Sequence, residues 1–177
     1  LYIKNLLAAN KITQQQSLQY QKYLDAFDAL VKKISGPDND HAFGQSLLFA
    51  IYYTIHNDGA SLSQKQLDAV MKLFYQDIIS DEKMQAADDN TLQQFYERMA
   101  IECMANSDLY ANTKAKLIEY EKKQNDPRVD AMEKLSLSMS SRVHDDMKSV
   151  KEMAHTKLRE FFQPRNYDEY RLTEEGF

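Results

Sequence analysis

The side chains best suited to bind a metal ion or to transfer protons are the four histidines: His41, His56, His144 and His155. Two histidines four positions apart on a helix can share a metal ion, but no pair in this chain has that spacing. His144 and His155 fall on one helical face, yet eleven residues of rise separate them by roughly 16 Å. A metal-dependent enzyme or small hydrolase would therefore need a two-helix site that pairs Asp40 and His41 with His144.

Other catalytic patterns are missing from the sequence. Glu97 and Glu102 are five positions apart, so they lie on different faces of a helix, and we expect Glu97 to be a solvated charge rather than a half-buried acid. Cys103 completes an apolar stripe and is expected to pack in the core rather than to react. Because no glycine-rich phosphate loop or nucleophile motif is present, we predict no catalytic residue, no metal ligand and no cofactor.

Composition predicts the fold class. Only seven of the 177 residues are glycine or proline, and a sheet protein of this size needs more of both for its tight turns. We therefore predict an all-α fold, a single domain over residues 1–177 built as a bundle of about six to eight helices. The net charge of −5 argues against nucleic-acid binding, and no apolar run approaches the ~20 residues that span a bilayer.

The first half of the chain contains the clearest helix signals. Residues 1–11 form a short helix or an N-terminal docking arm, and Thr13 with Gln16 has the spacing of a capping box. Asp40 is a candidate N-cap for a helix over about 41–56 that is apolar on nearly every side, which is typical of a buried central helix. Gly44 in its first turn would let a neighbouring helix approach closely.

The second half predicts further helices with less certain boundaries. Ser61 with Gln64 is a second capping-box candidate, a break follows near 80–90, and separate helices are expected near 92–103 and 108–123. Asp126 and Pro127 suit the start of the next helix. Residues 128–162 form one helix or two, with Met132, Leu135 and Met139 on the inward side. Residues 164–177 are predicted to be an extended tail that packs across a groove or, if it is mobile, leaves its apolar side chains free to bind another molecule.

Two compositional features bear on binding. Seven acidic and two basic residues lie between Asp81 and Asp108, which indicates a solvated helix face or a docking surface for a basic partner. Four of the eight methionines lie between Met132 and Met153. They fill the core, or they form an adaptable groove for a partner helix or an apolar ligand.

A resemblance to a known family rests on five segments. They are His41–Phe43, Tyr52–Tyr53, Gln66 with Val70, Gln93–Glu97 and the terminal Leu172–Phe177. Together they resemble an uncharacterised bacterial family of helical domains that usually follow a signal peptide and end in Leu-Thr-x-x-Gly-Phe. The resemblance covers about residues 36–177 and implies no catalytic residues. It implies export to the periplasm or medium, in line with a chain that begins at Leu1 rather than Met; a cytoplasmic location is the alternative.

Three functions stay open on the sequence alone. The first is a non-enzymatic bacterial protein-interaction or structural module that binds another protein. The second is the small hydrolase or metal-dependent enzyme with a site near Asp40, His41 and His144. The third is a carrier of an apolar ligand in an interior lined by methionine and tyrosine. The oligomeric state is left open by all three.

Overall fold

The computed structural model describes residues 1–34, 36–37 and 40–162, which form eight helices and no strand. The helices are α1 (Tyr2–Ala8), α2 (Gln14–Lys33), α3 (His41–His56), α4 (Gln64–Ser80), α5 (Glu82–Gln85), α6 (Asp89–Asn125), α7 (Ala131–Ser140) and α8 (Val143–Phe162). The prediction of an all-α bundle is confirmed. The extended tail predicted at 164–177 lies outside the described residues.

Helix α3 is the central helix of the bundle, as its sequence predicts. It packs against α4, α6 and α8, and nine of its sixteen residues are buried. The Asp40 carboxylate caps it by accepting the main-chain N–H of Phe43 at 2.8 Å. At Gly44 a side chain would overlap the thioether end of Met99, so the glycine permits the close approach of α6.

One hydrophobic core joins α2, α3, α4, α6 and α8. In it the Phe161 ring of α8 lies 5.7 Å from the ring of Phe49 on α3 and 5.4 Å from that of Phe74 on α4. Full burial of one such side chain contributes about 1.5–3 kcal/mol. Because residues from both halves of the chain share this core, the chain folds as a single domain.

The start of α4 differs from the prediction. Its capping box is formed by Ser63 and Gln66, not by Ser61 and Gln64. The physical reason is Leu62, which packs against the core and so holds the preceding residues outside the helix. The other predicted capping box, Thr13 with Gln16 at the start of α2, is present.

Helix α6 is continuous from Asp89 to Asn125, so the prediction of two separate helices near 92–103 and 108–123 is wrong. Its length is about 55 Å, and it contacts α1, α2, α3, α7 and α8 in turn. The polar residues Asn106, Ser107 and Asp108 interrupt the apolar pattern in the middle of the helix, which imitates a break in the sequence. No glycine or proline interrupts the helix.

The stretch 128–162 forms two helices, because the backbone turns extended at Ser141. Helix α7 begins after its N-cap Asp130, so the predicted start at Asp126 and Pro127 is wrong. Asp126 instead accepts the main-chain N–H of Arg128 at 2.9 Å, which closes a turn before the helix.

Candidate functional site

The acidic stretch between Asp81 and Asp108 serves mainly to start helices. The side chains of Asp81 and Asp88 cap α5 and α6. Glu82 and Asp89 occupy the first turns of the same helices, where the helix dipole stabilises a carboxylate. Four of the seven acidic residues therefore have a role at a helix start.

Glu97 is only 7% exposed, so the expectation of a solvated charge is wrong. The N-terminal ammonium of Leu1 and the main-chain N–H of Tyr2 donate to its carboxylate at 2.7–2.9 Å, and Gln93 Nε2 donates at 3.1 Å. Burial by itself would raise the pKa of Glu97, but these hydrogen bonds outweigh burial and lower it. Glu97 is therefore ionised at neutral pH and holds α1 against α6.

Glu102 belongs to a second internal network. The Tyr52 side chain, 1% exposed, donates its hydroxyl to Glu102 Oε1 at 2.5 Å, and Asn106 Nδ2 donates to the tyrosine oxygen at 3.1 Å. Burial first, and then the hydrogen bond to Glu102, raise the pKa of Tyr52, so the hydroxyl stays a neutral donor. This network ties α3 to α6.

The structure separates the residues of the predicted metal-dependent site. Asp40 and His41 lie at the start of α3, whereas His144 lines a cleft together with His56 at the end of α3. Fifteen residues of helix rise between the two ends, about 22 Å, so His41 and His144 are not brought together. In the described ranges no group of three or more histidine, cysteine or acidic residues is placed to hold a metal ion.

His41 is instead a packing residue. Its ring lies 5.6 Å from the ring of Phe95 and 6.2 Å from that of Tyr96, and its buried Nδ1 has no hydrogen-bond partner in the described part of the chain. Burial lowers the pKa of His41, against the opposing charge of Asp40. Asp40 itself caps α3 and accepts a hydrogen bond from the Tyr75 hydroxyl.

The other three histidines line one cleft between α3, α6 and α8, here called the histidine cleft. The rings of His56 and His155 stack with centroids 5.0 Å apart and 24° between their planes. The His144 ring packs edge to face against Tyr120 at 5.4 Å. The cleft has a volume of about 420 Å³, and its floor is apolar: Leu117 and Met147.

The rim of the histidine cleft is cationic, although the protein as a whole is acidic. Lys148 and Lys151 line it between the two α8 histidines. Lys151 forms an ion pair with Asp58, and the Lys148 ammonium lies 3.8 Å from Glu152. Cationic groups above an apolar floor favour a ligand that carries both negative charge and an apolar part.

The sequence alone indicates which α8 residues share the face that lines this cleft. The shared face of His144 and His155 is visible from their spacing, and Lys148 and Lys151 fall on that same face at i+4 and i+7. His56 carries no such signal, because it is far from His155 in the chain and only packing of α3 on α8 brings the two rings together.

A second surface is the outer face of α7, here called the α7 face. The side chains of Met132, Leu135 and Met139 are 76%, 54% and 81% exposed, so the prediction that they point inward is wrong. They line a shallow groove of about 370 Å³ with Ser136. Helix α7 packs mainly on α6, and none of its described side chains is buried. Helical spacing placed the three residues on one face, but no described helix covers it.

Comparison with known proteins finds no matching family model, no matching curated protein and no matching solved structure. The resemblance to a bacterial helical family therefore stays a prediction. No helix in the described ranges is long and apolar enough to cross a membrane.

Proposed function

We propose that the chain is a non-enzymatic interaction module that binds an amphipathic helix of another protein on its α7 face. The observation that carries this proposal is the exposure of Met132, Leu135 and Met139 on one side of a helix. Contiguous exposed apolar patches on a protein surface mark interaction sites more often than scattered apolar residues do.

The spacing and chemistry of the α7 face suit a partner helix. Met132, Leu135, Ser136 and Met139 occupy positions i, i+3, i+4 and i+7, the pattern by which helices pair through one face. Methionine has three rotatable bonds and a polarisable sulfur, so it adapts to partner side chains of different shape. The small Ser136 side chain leaves room for a partner residue between its larger neighbours.

The size of the α7 face favours a transient partner over a second copy of this chain. The largest apolar patch on a monomer is about 300–600 Å² and is often functional. A stable dimer of standard size buries about 800 Å² on each partner. The three exposed side chains of the α7 face can supply a patch of the smaller size, but not the area of a stable dimer interface.

Site-specific photo-crosslinking tests the proposal. A photoreactive phenylalanine analogue replaces Met139 in the full chain, produced in cells of the source organism. The matched control places the same analogue at Lys72, an exposed position on α4. We expect a discrete adduct with another protein from position 139 and none from position 72.

The identity of the crosslinked segment shows whether the α7 face binds a helix of another protein. The segment is synthesised as a peptide, and its affinity is measured by calorimetry and its helicity by circular dichroism. We expect a helical peptide whose affinity falls about ten-fold or more when Met139→Glu places a charge on the face. An adduct formed only with a second copy of the chain, or a peptide that binds Met139→Glu equally well, would refute the proposal.

We also propose that the chain is exported from a bacterial cytoplasm, a proposal that the family resemblance alone supports. Fractionation of the source cells, followed by immunoblotting, measures its location. Recovery in the periplasm or medium is the expected result, and recovery with cytoplasmic markers would contradict it.

A further inference from the structure

The histidine cleft and the α7 face are separate surfaces. The chemistry of the cleft favours a small molecule as its ligand. We propose that it binds a small organic phosphate, with the phosphate on the cationic rim and an apolar body on the floor. The ligand class follows from three features of the described residues: unused ring nitrogens, excess positive charge and an apolar base of suitable size.

The imidazoles supply unused polar groups. His56 and His155 contact each other through their ring faces, and His144 contacts the Tyr120 ring. No hydrogen bond joins the nitrogens of these three rings to another described residue. In the protonated state each imidazole donates two N–H groups, and phosphate oxygens accept such charge-assisted hydrogen bonds well.

The charge around the cleft favours an anion. The charged groups of the lining are Lys148, Lys151 and Glu152. Beside them, Asp58 pairs with Lys151, and Lys114 donates to the main-chain carbonyl of Asp58. Three lysines and two carboxylates leave a balance of +1 when the histidines are neutral. Lys148 forms a loose ion pair with Glu152 at 3.8 Å, longer than a hydrogen bond. Because both side chains are largely exposed, the ammonium can exchange this ion pair for a ligand.

The floor and the volume indicate what the phosphate is attached to. Leu117 and Met147 form an apolar base, which inorganic phosphate alone would leave uncovered. A volume of about 420 Å³ lies within the about 300–1,000 Å³ typical of small-molecule sites. An aromatic or short aliphatic phosphate monoester fills such a site and satisfies both parts of it.

The same geometry argues against a metal ion as the ligand. The His56 and His155 rings are stacked within 24° of parallel, so their nitrogen lone pairs point in ring planes that do not meet at one atom between them. A metal site needs ligands that converge, and no convergent group of three exists in the described part of the chain.

Histidine ring-proton NMR of the full chain tests the proposal with three probes. They are phenyl phosphate, inorganic phosphate and phenol, which separate the combined ligand from its charged and apolar parts. We expect phenyl phosphate to shift the signals of His56 and His155 and to leave His41, at the other end of α3, unchanged. We expect its affinity to exceed that of either part by about ten-fold.

Variants assign the binding to the cleft. Lys148→Gln and His155→Gln each remove one charge-assisted contact at an exposed position, and each should weaken phenyl phosphate about ten-fold. The matched control is Lys157→Gln on the same helix, away from the cleft, which should leave the affinity unchanged. Circular dichroism confirms that every variant keeps its helical content.

Several results would overturn the proposal. They include unchanged His56 and His155 signals, equal affinity for inorganic and phenyl phosphate, and an equal loss in Lys157→Gln. Binding to phosphatidylcholine vesicles that contain phosphatidic acid, without binding to phenyl phosphate, would assign the rim to a lipid headgroup instead. Zn²⁺ that shifts the three histidines at stoichiometric concentration would assign it to a metal. None of these results bears on the α7 face.

Discussion

Replacing Tyr52 by phenylalanine tests the internal network that joins α3 to α6. The change keeps the buried ring and removes only the hydroxyl that donates to Glu102 at 2.5 Å and accepts from Asn106 at 3.1 Å. A hydrogen bond to a charged group contributes about 1.5–3 kcal/mol. Because Glu102 is only half-buried, we expect a loss in the lower part of this range, about 2 kcal/mol of the free energy of unfolding.

Urea unfolding and thermal unfolding, each followed by circular dichroism, measure this change. For a domain of this length, 1 kcal/mol corresponds to about 2–4 °C, so the melting temperature should fall by about 4–8 °C. The dependence of the unfolding free energy on urea should not change, because the variant buries the same surface. The matched control is Tyr53→Phe on the next position of α3, whose hydroxyl makes no hydrogen bond among the described residues; it should shift stability by less than about 0.5 kcal/mol.

A double variant separates the stabilisation by the Tyr52–Glu102 hydrogen bond from the cost of leaving one of its two partners unpaired. In Tyr52→Phe with Glu102→Leu, both partners become apolar, and replacing both is less costly than leaving one unpaired. We expect the double variant to be more stable than the sum of the two single changes by about 1 kcal/mol. Additive effects, or a Tyr52→Phe protein as stable as the parent, would refute the argument that this network stabilises the bundle.

Two further predictions rest on buried groups. Folding lowers the pKa of His41 below its unfolded value of 6.5, so the unfolded chain binds more protons than the folded chain below that pH, and the free energy of unfolding should fall as the pH drops from 6.5 through the folded pKa. The His41→Phe variant should lose less stability over this range when urea unfolding is measured at successive pH values. An unchanged dependence of stability on pH would contradict the prediction. Burial raises the pKa of the Cys103 thiol, so a thiol reagent at about pH 8 should react only after unfolding; rapid reaction with the native chain would show that Cys103 is accessible.

The sequence predicts the helices well where one face of a helix meets one set of neighbours. Helix α3 is apolar on most sides and is buried on most sides, so pattern and structure agree. Helix α6 contacts α1, α2, α3, α7 and α8, and near its middle the polar run Asn106, Ser107 and Asp108 interrupts the apolar pattern. Such a run looks like a break when only the sequence is available, although no residue between Asp89 and Asn125 ends the helix.

The candidate sites were less predictable because they depend on what lies opposite a side chain. Spacing places Met132, Leu135 and Met139 on one face of α7, but it carries no information on whether another helix covers that face. Glu97 shows the converse, since a carboxylate beside an apolar stripe became buried when α1 packed back onto α6. Exposure and burial at these positions follow from contacts between residues far apart in the chain.

Helix α8 links the stability of the bundle to the histidine cleft. Its buried residues Val143, Met147 and Val150 pack inward, while His144, Lys148 and Lys151 on the adjacent face line the cleft. Met147 belongs to both sets, so the cleft floor exists only while α8 is docked. A ligand of the cleft therefore binds the folded chain and not the unfolded one, and at a concentration 100 times its dissociation constant it would add about 2.7 kcal/mol to the free energy of unfolding. The proposed phosphate ligand should therefore protect α8 from unfolding. A ligand that bound elsewhere, to a chain with α8 partly detached, would not protect this helix.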